Sequence, residues 1–182
     1  MRRLLALLAI IGCPMSLVLG HGFAAHAQTP TPATAPAQSV PSEPAACPPT
    51  ATLDQLIAAL DTAISGPAAK DRTCFRALFL SGARLIPIGA AGPRLLTVDD
   101  WIAAVAKYGD EAITEQQIKY QSEAYGHVAH LWSTYITSLA GKPLARGINS
   151  IQAVYDGQSW HVIEIVWQAE NPSTPIPDQY LP

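Results

Sequence analysis

Glu164 and His130 are the residues whose types and surroundings could support catalysis. Glu164 stands in the apolar run 160–168, bounded by Val162 and Val166, where strict alternation puts it on one face with Trp160. The Asp156-Gly157 turn brings Asn149 to that face, opposite or diagonal, for a two- or four-residue loop. A three-residue loop reverses the relation. A carboxylate buried there is pushed toward a raised pKa and suits a general base. The plainer alternative is a structural carboxylate bonded to Asn149 or a backbone amide, or an exposed one. For His130, a two-residue turn at Tyr125-Gly126 pairs Gln121 with His130 and Glu123 with Val128. Glu123 and His130 are then diagonal neighbours, either an acid–base dyad or a surface pair.

The remaining chemistry-bearing residues are few. His127, His130 and His161 are the only histidines beyond the N-terminal leader, and no pair has the one-face spacing of a helical metal site. No metal site and no cofactor are therefore expected. Arg146 could meet a ligand carboxylate or a surface acid. Trp101, Tyr120, Trp132, Tyr135, Trp160 and Trp167, together with Asn149, are the expected lining of a ligand pocket. Such pockets are mostly aromatic and aliphatic with few polar groups.

The elements that must position these residues fall into two blocks. Thr52 with Gln55 forms a capping box, and Leu53, Leu56, Ile57, Leu60 and Ile64 recur at helical spacing. A second helix fits 71–80, a short strand 83–88, and a third helix begins at Thr97 with Asp99 and Asp100 in its first turn. Then comes a meander over 112–168, interrupted at 125–126, 140–143 and 156–157. In its first strand Glu115, Gln117, Lys119, Gln121 and Glu123 alternate with Gln116, Ile118, Tyr120, Ser122 and Ala124, which predicts one fully polar, solvated face. Residues 127–139 are apolar or aromatic on both faces and read as a central strand.

The ends of the chain carry different information. Arg2-Arg3, the apolar residues 4–19 and Ala25-His26-Ala27 read as a cleaved export signal over 1–27. A lipoprotein box at Ile10-Ile11-Gly12-Cys13 and a twin-arginine signal are the alternatives. Residues 28–50 form a Pro/Ala-rich tether: from 28 to 49 there are seven prolines and a single charge, Glu43. The domain spans 51–170, and 171–182, with four prolines, make an extended strap. From Thr50 onward nine basic and thirteen acidic residues give a net charge of −4 with no basic cluster. That argues against nucleic acid and anionic membranes as partners, and no stable membrane insertion is expected once the signal is removed. The expected location is the periplasm or the exterior. There Cys47 and Cys74 are either bridged or left as a buried thiol and a free one.

Helices first and long curved strands afterwards resemble the nuclear transport factor 2-like superfamily, the cone-shaped α+β barrel. The resemblance is carried by 75–79 (FRALF), 126–133 (GHVAHLWS), 146–152 (RGINSIQ), 160–168 (WHVIEIVWQ) and 175–182 (PIPDQYLP), and it covers about residues 52–182. It implies three N-terminal helices packed on a strongly curved, mainly antiparallel sheet, a pocket between them, and frequently a homodimer. The superfamily includes SnoaL-like cyclases, ketosteroid isomerases, dehydratases, epoxide hydrolases and structural modules, so fold alone assigns no activity. Many enzyme members carry an acid just before the first strand, where this chain has Ser81-Gly82, and the first helix lacks a tyrosine. These departures weigh against an enzyme. The expected function is an exported domain binding a small apolar molecule. The alternatives are a cofactor-free isomerase, dehydratase or hydrolase, and a homodimeric assembly module.

Overall fold

The structure is a computed structural model that describes residues 46–182. The expected signal (1–27) and most of the expected tether (28–50) lie outside the described residues. Helix α1 (Leu53–Ile64) opens with the capping box read from the sequence: the Thr52 hydroxyl accepts the Gln55 N–H while the Gln55 side chain accepts the Thr52 N–H. Its last turn has no basic residue of its own, so the loop that follows supplies the cations. The buried Arg72 guanidinium donates to the carbonyls of Ala63 (2.6 Å) and Ile64 (2.5 Å), and Lys70 Nζ donates to those of Thr62 and Ser65. Carbonyls that a helix end leaves open are thereby satisfied by positive charge, where the helix dipole favours it.

After α1 come β1 (Gly66–Pro67), α2 (Thr73–Ala77), β2 (Phe79–Gly89), β3 (Gly92–Pro93) and α3 (Val98–Ala106). The long strands β4 (Ala112–Tyr125), β5 (Val128–Leu139), β6 (Lys142–Tyr155) and β7 (Trp160–Ala169) complete the sheet, whose order is β1-β4-β5-β6-β7-β2-β3. Every pairing is antiparallel except β2 on β7. This is the α+β cone expected from the order of elements. Helix α2 stops at Ala77 instead of reaching residue 80, because the Leu78 carbonyl already accepts the Val162 N–H and Phe79 pairs with Val162. Sheet pairing overrides helical periodicity there, and the strand expected over 83–88 starts four residues earlier.

Three single-residue bulges bend the long strands. Ile118 of β4 has no partner between Gln117, opposite Tyr135, and Lys119, opposite Thr134. Leu144 of β6 is skipped between the pairs Thr137–Ala145 and Ser138–Pro143, and Ile163 of β7 between Gln152–Glu164 and Ala153–Val162. Each extra residue bends its strand and exchanges the faces of the residues beyond it. The polar face predicted for β4 is therefore split. Glu115 and Gln117 share the inner face with Tyr120 and Ser122, whereas Lys119, Gln121 and Glu123 lie outside.

The core fills the space between the concave sheet face and the helices. Leu56, Leu60 and Ile64 of α1 pack with Leu131, Ile151 and Val162 of the strands. Cys47 and Cys74 are disulfide-bonded, with Cα atoms 5.2 Å apart, and the bond staples the segment before α1 to α2. Closing a loop of that size stabilises by about 3–4 kcal/mol. The C-terminal segment runs across the outer sheet face. There the Thr134 hydroxyl donates to the Tyr180 carbonyl (2.6 Å), Lys119 Nζ donates to the Leu181 carbonyl (2.6 Å), and Ile176 is buried.

Candidate functional site

Inside the cone lies a cavity of about 230 Å³. Its walls are apolar: Ile64 from α1, Phe75 from α2, Trp101 and Val105 from α3, and Leu85, Ile113, Ile165 and Trp167 from the sheet. Phe75 stacks on Trp101 with ring centroids 4.5 Å apart. The exposed Tyr108 and Leu144 also line it, so the mouth is bounded by the turn after α3 and by the bulge of β6. Polar side chains converge on one side only: Glu115, Tyr135, Thr137 and Asn149.

Glu115 is the centre of that polar cluster. Its carboxylate accepts hydrogen bonds from the Thr137 hydroxyl (3.2 Å) and the Gln117 amide (3.1 Å), and its backbone N–H donates to the Ser65 hydroxyl (3.1 Å). The Gln117 side-chain carbonyl in turn accepts from the Ser133 hydroxyl (2.6 Å) and the Asn149 amide (3.1 Å). Behind this layer, Asp61 of α1 receives the Gln117 backbone N–H at 3.1 Å on each carboxyl oxygen. Every donor to Glu115 is neutral, and no ion pair to it is formed among the described residues. Burial pushes the Glu115 carboxyl up to about 7, and the nearby Asp61 charge adds to the rise against the pull of its hydrogen bonds. Burial likewise raises Asp61, and burial together with the charge on Glu115 pushes Tyr135 up to about 12.

Gly147 makes the close packing of Tyr135 possible. The two residues are cross-strand partners, and a methyl group on Gly147 would overlap the Gln168 carbonyl and come within 2.8 Å of the Tyr135 hydroxyl. Only a residue without a side chain lets the ring lie over β6 there.

The sequence-derived candidates divide between the two faces. Trp101, Tyr135, Asn149 and Trp167 line the cavity. Tyr120 and Trp160 pack against the core from the inner face, Tyr120 with its hydroxyl donating to Asp54 and Trp160 with its ring 5.3 Å from Tyr155; neither borders the cavity. Trp132 lies on the outer face beside Tyr180, centroids 6.0 Å apart. Glu164 does not share a face with Trp160 and Asn149. The bulge at Ile163 turns it outward, opposite Gln152, where it forms an ion pair with Arg84 at 2.6 Å. His130 is also on the outer face and contacts the Ser150 hydroxyl at 3.2 Å. The β4–β5 loop is Gly126-His127, because Tyr125 pairs with Val128, so Glu123 lies directly opposite His130 and not diagonal to it. Arg146 is taken up by Glu170 through two bonds of 2.7 and 3.0 Å.

Sequence reading missed Glu115, Gln117, Thr137 and Asp61. One signal was available: Ile113 puts the apolar phase of β4 on odd positions, whereas Tyr120 and Ala124 put it on even ones. A phase reversal inside one strand marks a bulge, and it reassigns Glu115 and Gln117 to the apolar side. A second, larger groove of about 420 Å³ lies under the strap on the outer face, lined by Trp132, Ile148, Val166, Ile176 and Tyr180. It collects no acid or base, so the inner cavity is the stronger chemical site.

The chain has the nuclear transport factor 2-like fold. It is similar in structure to a protein of unknown function with a cystatin-like fold from Nostoc punctiforme (TM-score 0.53, 13% identity, covering 68% of this chain and 91% of that one). It is also similar to a nuclear transport factor 2-like protein of unknown function from Pseudomonas putida (0.52, 13%, 69% and 90%). A third likeness is to the beta subunit of a putative aromatic-ring-hydroxylating dioxygenase from Novosphingobium aromaticivorans (0.52, 12%, 68% and 94%). Identities this low speak to the fold alone. No protein-family model matches the sequence, and no curated protein matches it.

Proposed function

We propose that this is an exported protein that binds a small, mostly apolar molecule inside its cone. One observation carries the reading: a half-buried carboxyl group, Glu115, stands at the polar side of a cavity otherwise walled mostly by aliphatic and aromatic side chains. Specific sites of this kind combine apolar area with a few converging polar groups. The disulfide supports an oxidising compartment, as does the signal-like N-terminus. Native mass spectrometry of the protein isolated from its host tests the reading. A small molecule should leave with denaturation, and Val105→Trp, which fills the cavity, should exclude it. A wild-type protein that carries nothing and gains no thermal stability from a panel of small apolar compounds would remove the reading.

A cofactor-free acid–base enzyme is the second reading, favoured by the elevated pKa of Glu115, which keeps both protonation states populated near neutrality. On this reading the general base is Glu115 and not Glu164 or His130. Glu115→Gln should then abolish turnover of any substrate found while leaving the fold intact. A homodimeric assembly role has less support, because the C-terminal segment lies over Thr134 and Trp132 on the outer sheet face. Sedimentation equilibrium, with and without residues 171–182, distinguishes a monomer from a dimer.

A further inference from the structure

The Glu115 carboxylate has no counter-ion among the described residues. Its partners among the described residues are the Thr137 hydroxyl and the Gln117 and Asn149 amides, and the one charged neighbour acting on it there, Asp61 of α1, bears the same sign. The other elements facing it contribute no cation. Helix α2 brings Phe75, α3 brings Trp101 and Val105, and the turn after α3 brings Tyr108. From the sheet come Tyr135 on β5, Asn149 on β6 and Trp167 on β7. No lysine, arginine or histidine lines the cavity among the described residues. Placing a carboxylate in such surroundings is costly unless something positive meets it.

Resting on the reading of the cone as a small-molecule site, we infer that the ligand is a protonated amine with a compact apolar body, its ammonium group seated on Glu115. Three features point the same way. The negative field of Glu115 and Asp61 repels carboxylates and phosphates. An ammonium group brings hydrogen-bond donors, which match carboxylate oxygens that only accept. The indole and phenol faces of Trp101, Trp167 and Tyr135 attract a cation through their ring quadrupoles. A volume of about 230 Å³ holds a molecule on the order of ten non-hydrogen atoms, taking ~30 Å³ as the liquid volume of one water.

The proton balance follows from the same geometry. An alkylamine stays protonated at neutral pH, with a pKa near that of lysine, about 10. Glu115 is shared between its neutral and charged forms around pH 7. A bound ammonium favours the charged form, so the Glu115 carboxyl gives up its proton to solvent as the amine enters. Affinity for the amine should therefore rise between pH 6 and pH 8 and level off above.

Calorimetric titration with three near-isosteric probes tests this. 3-Phenylpropylamine should bind at least tenfold more tightly than 3-phenylpropan-1-ol at pH 8, and 3-phenylpropionate should bind weakest. The preference for amine over alcohol should shrink several-fold at pH 6 and vanish in Glu115→Gln. Equal affinities for amine and alcohol in the wild-type protein would overturn the inference while leaving the cavity as an apolar site, and so would a preference for the acid. Failure of all three probes to bind would overturn both readings. The wild-type comparison decides the matter even if the variant does not fold.

Discussion

Glu115 and Glu164 are both strand glutamates in a sheet of alternating faces, and their fates differ completely. Glu164 faces outward, where Arg84 neutralises it at 2.6 Å beside solvent. Glu115 faces inward, where among the described residues only neutral donors reach it and Asp61 adds a second negative charge. Simple alternation along each strand predicts the reverse for both. The difference is made by two extra residues, Ile118 and Ile163, which shift the phase of β4 and β7. The outer face uses charge as ordinary surface decoration, worth little in high dielectric. The inner face holds a charge it has not compensated, which is the condition under which a group becomes reactive or ligand-seeking.

The contrast is broken most severely by crowding the inner face, which Gly147→Ala does. The methyl collides with the Gln168 carbonyl and the Tyr135 hydroxyl, so we expect a loss of about 2–3 kcal/mol, together with a changed Tyr135 environment in near-ultraviolet circular dichroism.

Glu115→Gln sharpens the comparison through pH. The folded-state pKa of Glu115 lies at about 7, above the ordinary 4.5. A raised carboxyl stabilises the folded protein fully below its unfolded value and loses that contribution as pH rises through its folded value. The stability of the wild-type protein relative to Glu115→Gln should thus fall by roughly 2–3 kcal/mol between pH 4.5 and pH 8. A flat difference across that range would place Glu115 in water-like surroundings. Glu164→Gln is the matching outer-face experiment and the smallest effect. Loss of its half-exposed partnership with Arg84 should change stability by less than about 1 kcal/mol and leave ligand binding in the cavity unaltered.

The fold was largely legible because its signals are local. Thr52 with Gln55 and Thr97 ahead of Asp99 and Asp100 announce the starts of α1 and α3, and long alternation announces the meander. The pairing of Cys47 with Cys74 could be put forward from compartment and count. The site was less legible because it depends on which way each strand residue faces, and one unpaired residue reverses that for everything beyond it. Trp101, Tyr135, Asn149 and Trp167 are at the cavity, since α3 and the inner phases of β5, β6 and β7 border it. Trp132, Glu164 and His130 are not, because Trp132 and His130 belong to the outer phase of β5 and Glu164 lies beyond the bulge of β7. Gln117 was hidden most deeply, as a polar residue in a strand that reads as solvated. Its side-chain carbonyl instead ties Ser133 and Asn149 together beneath the carboxylate.

The central claim is that Glu115 is a half-buried carboxyl that faces the cavity with no paired cation among the described residues. It is tested most directly by following its side-chain carboxyl carbon by nuclear magnetic resonance across pH 3 to 9, assigned by comparison with Glu115→Gln. The account predicts a midpoint of about 7, moving downward when 3-phenylpropylamine is bound. A midpoint near 4.5, unmoved by the amine, would contradict it.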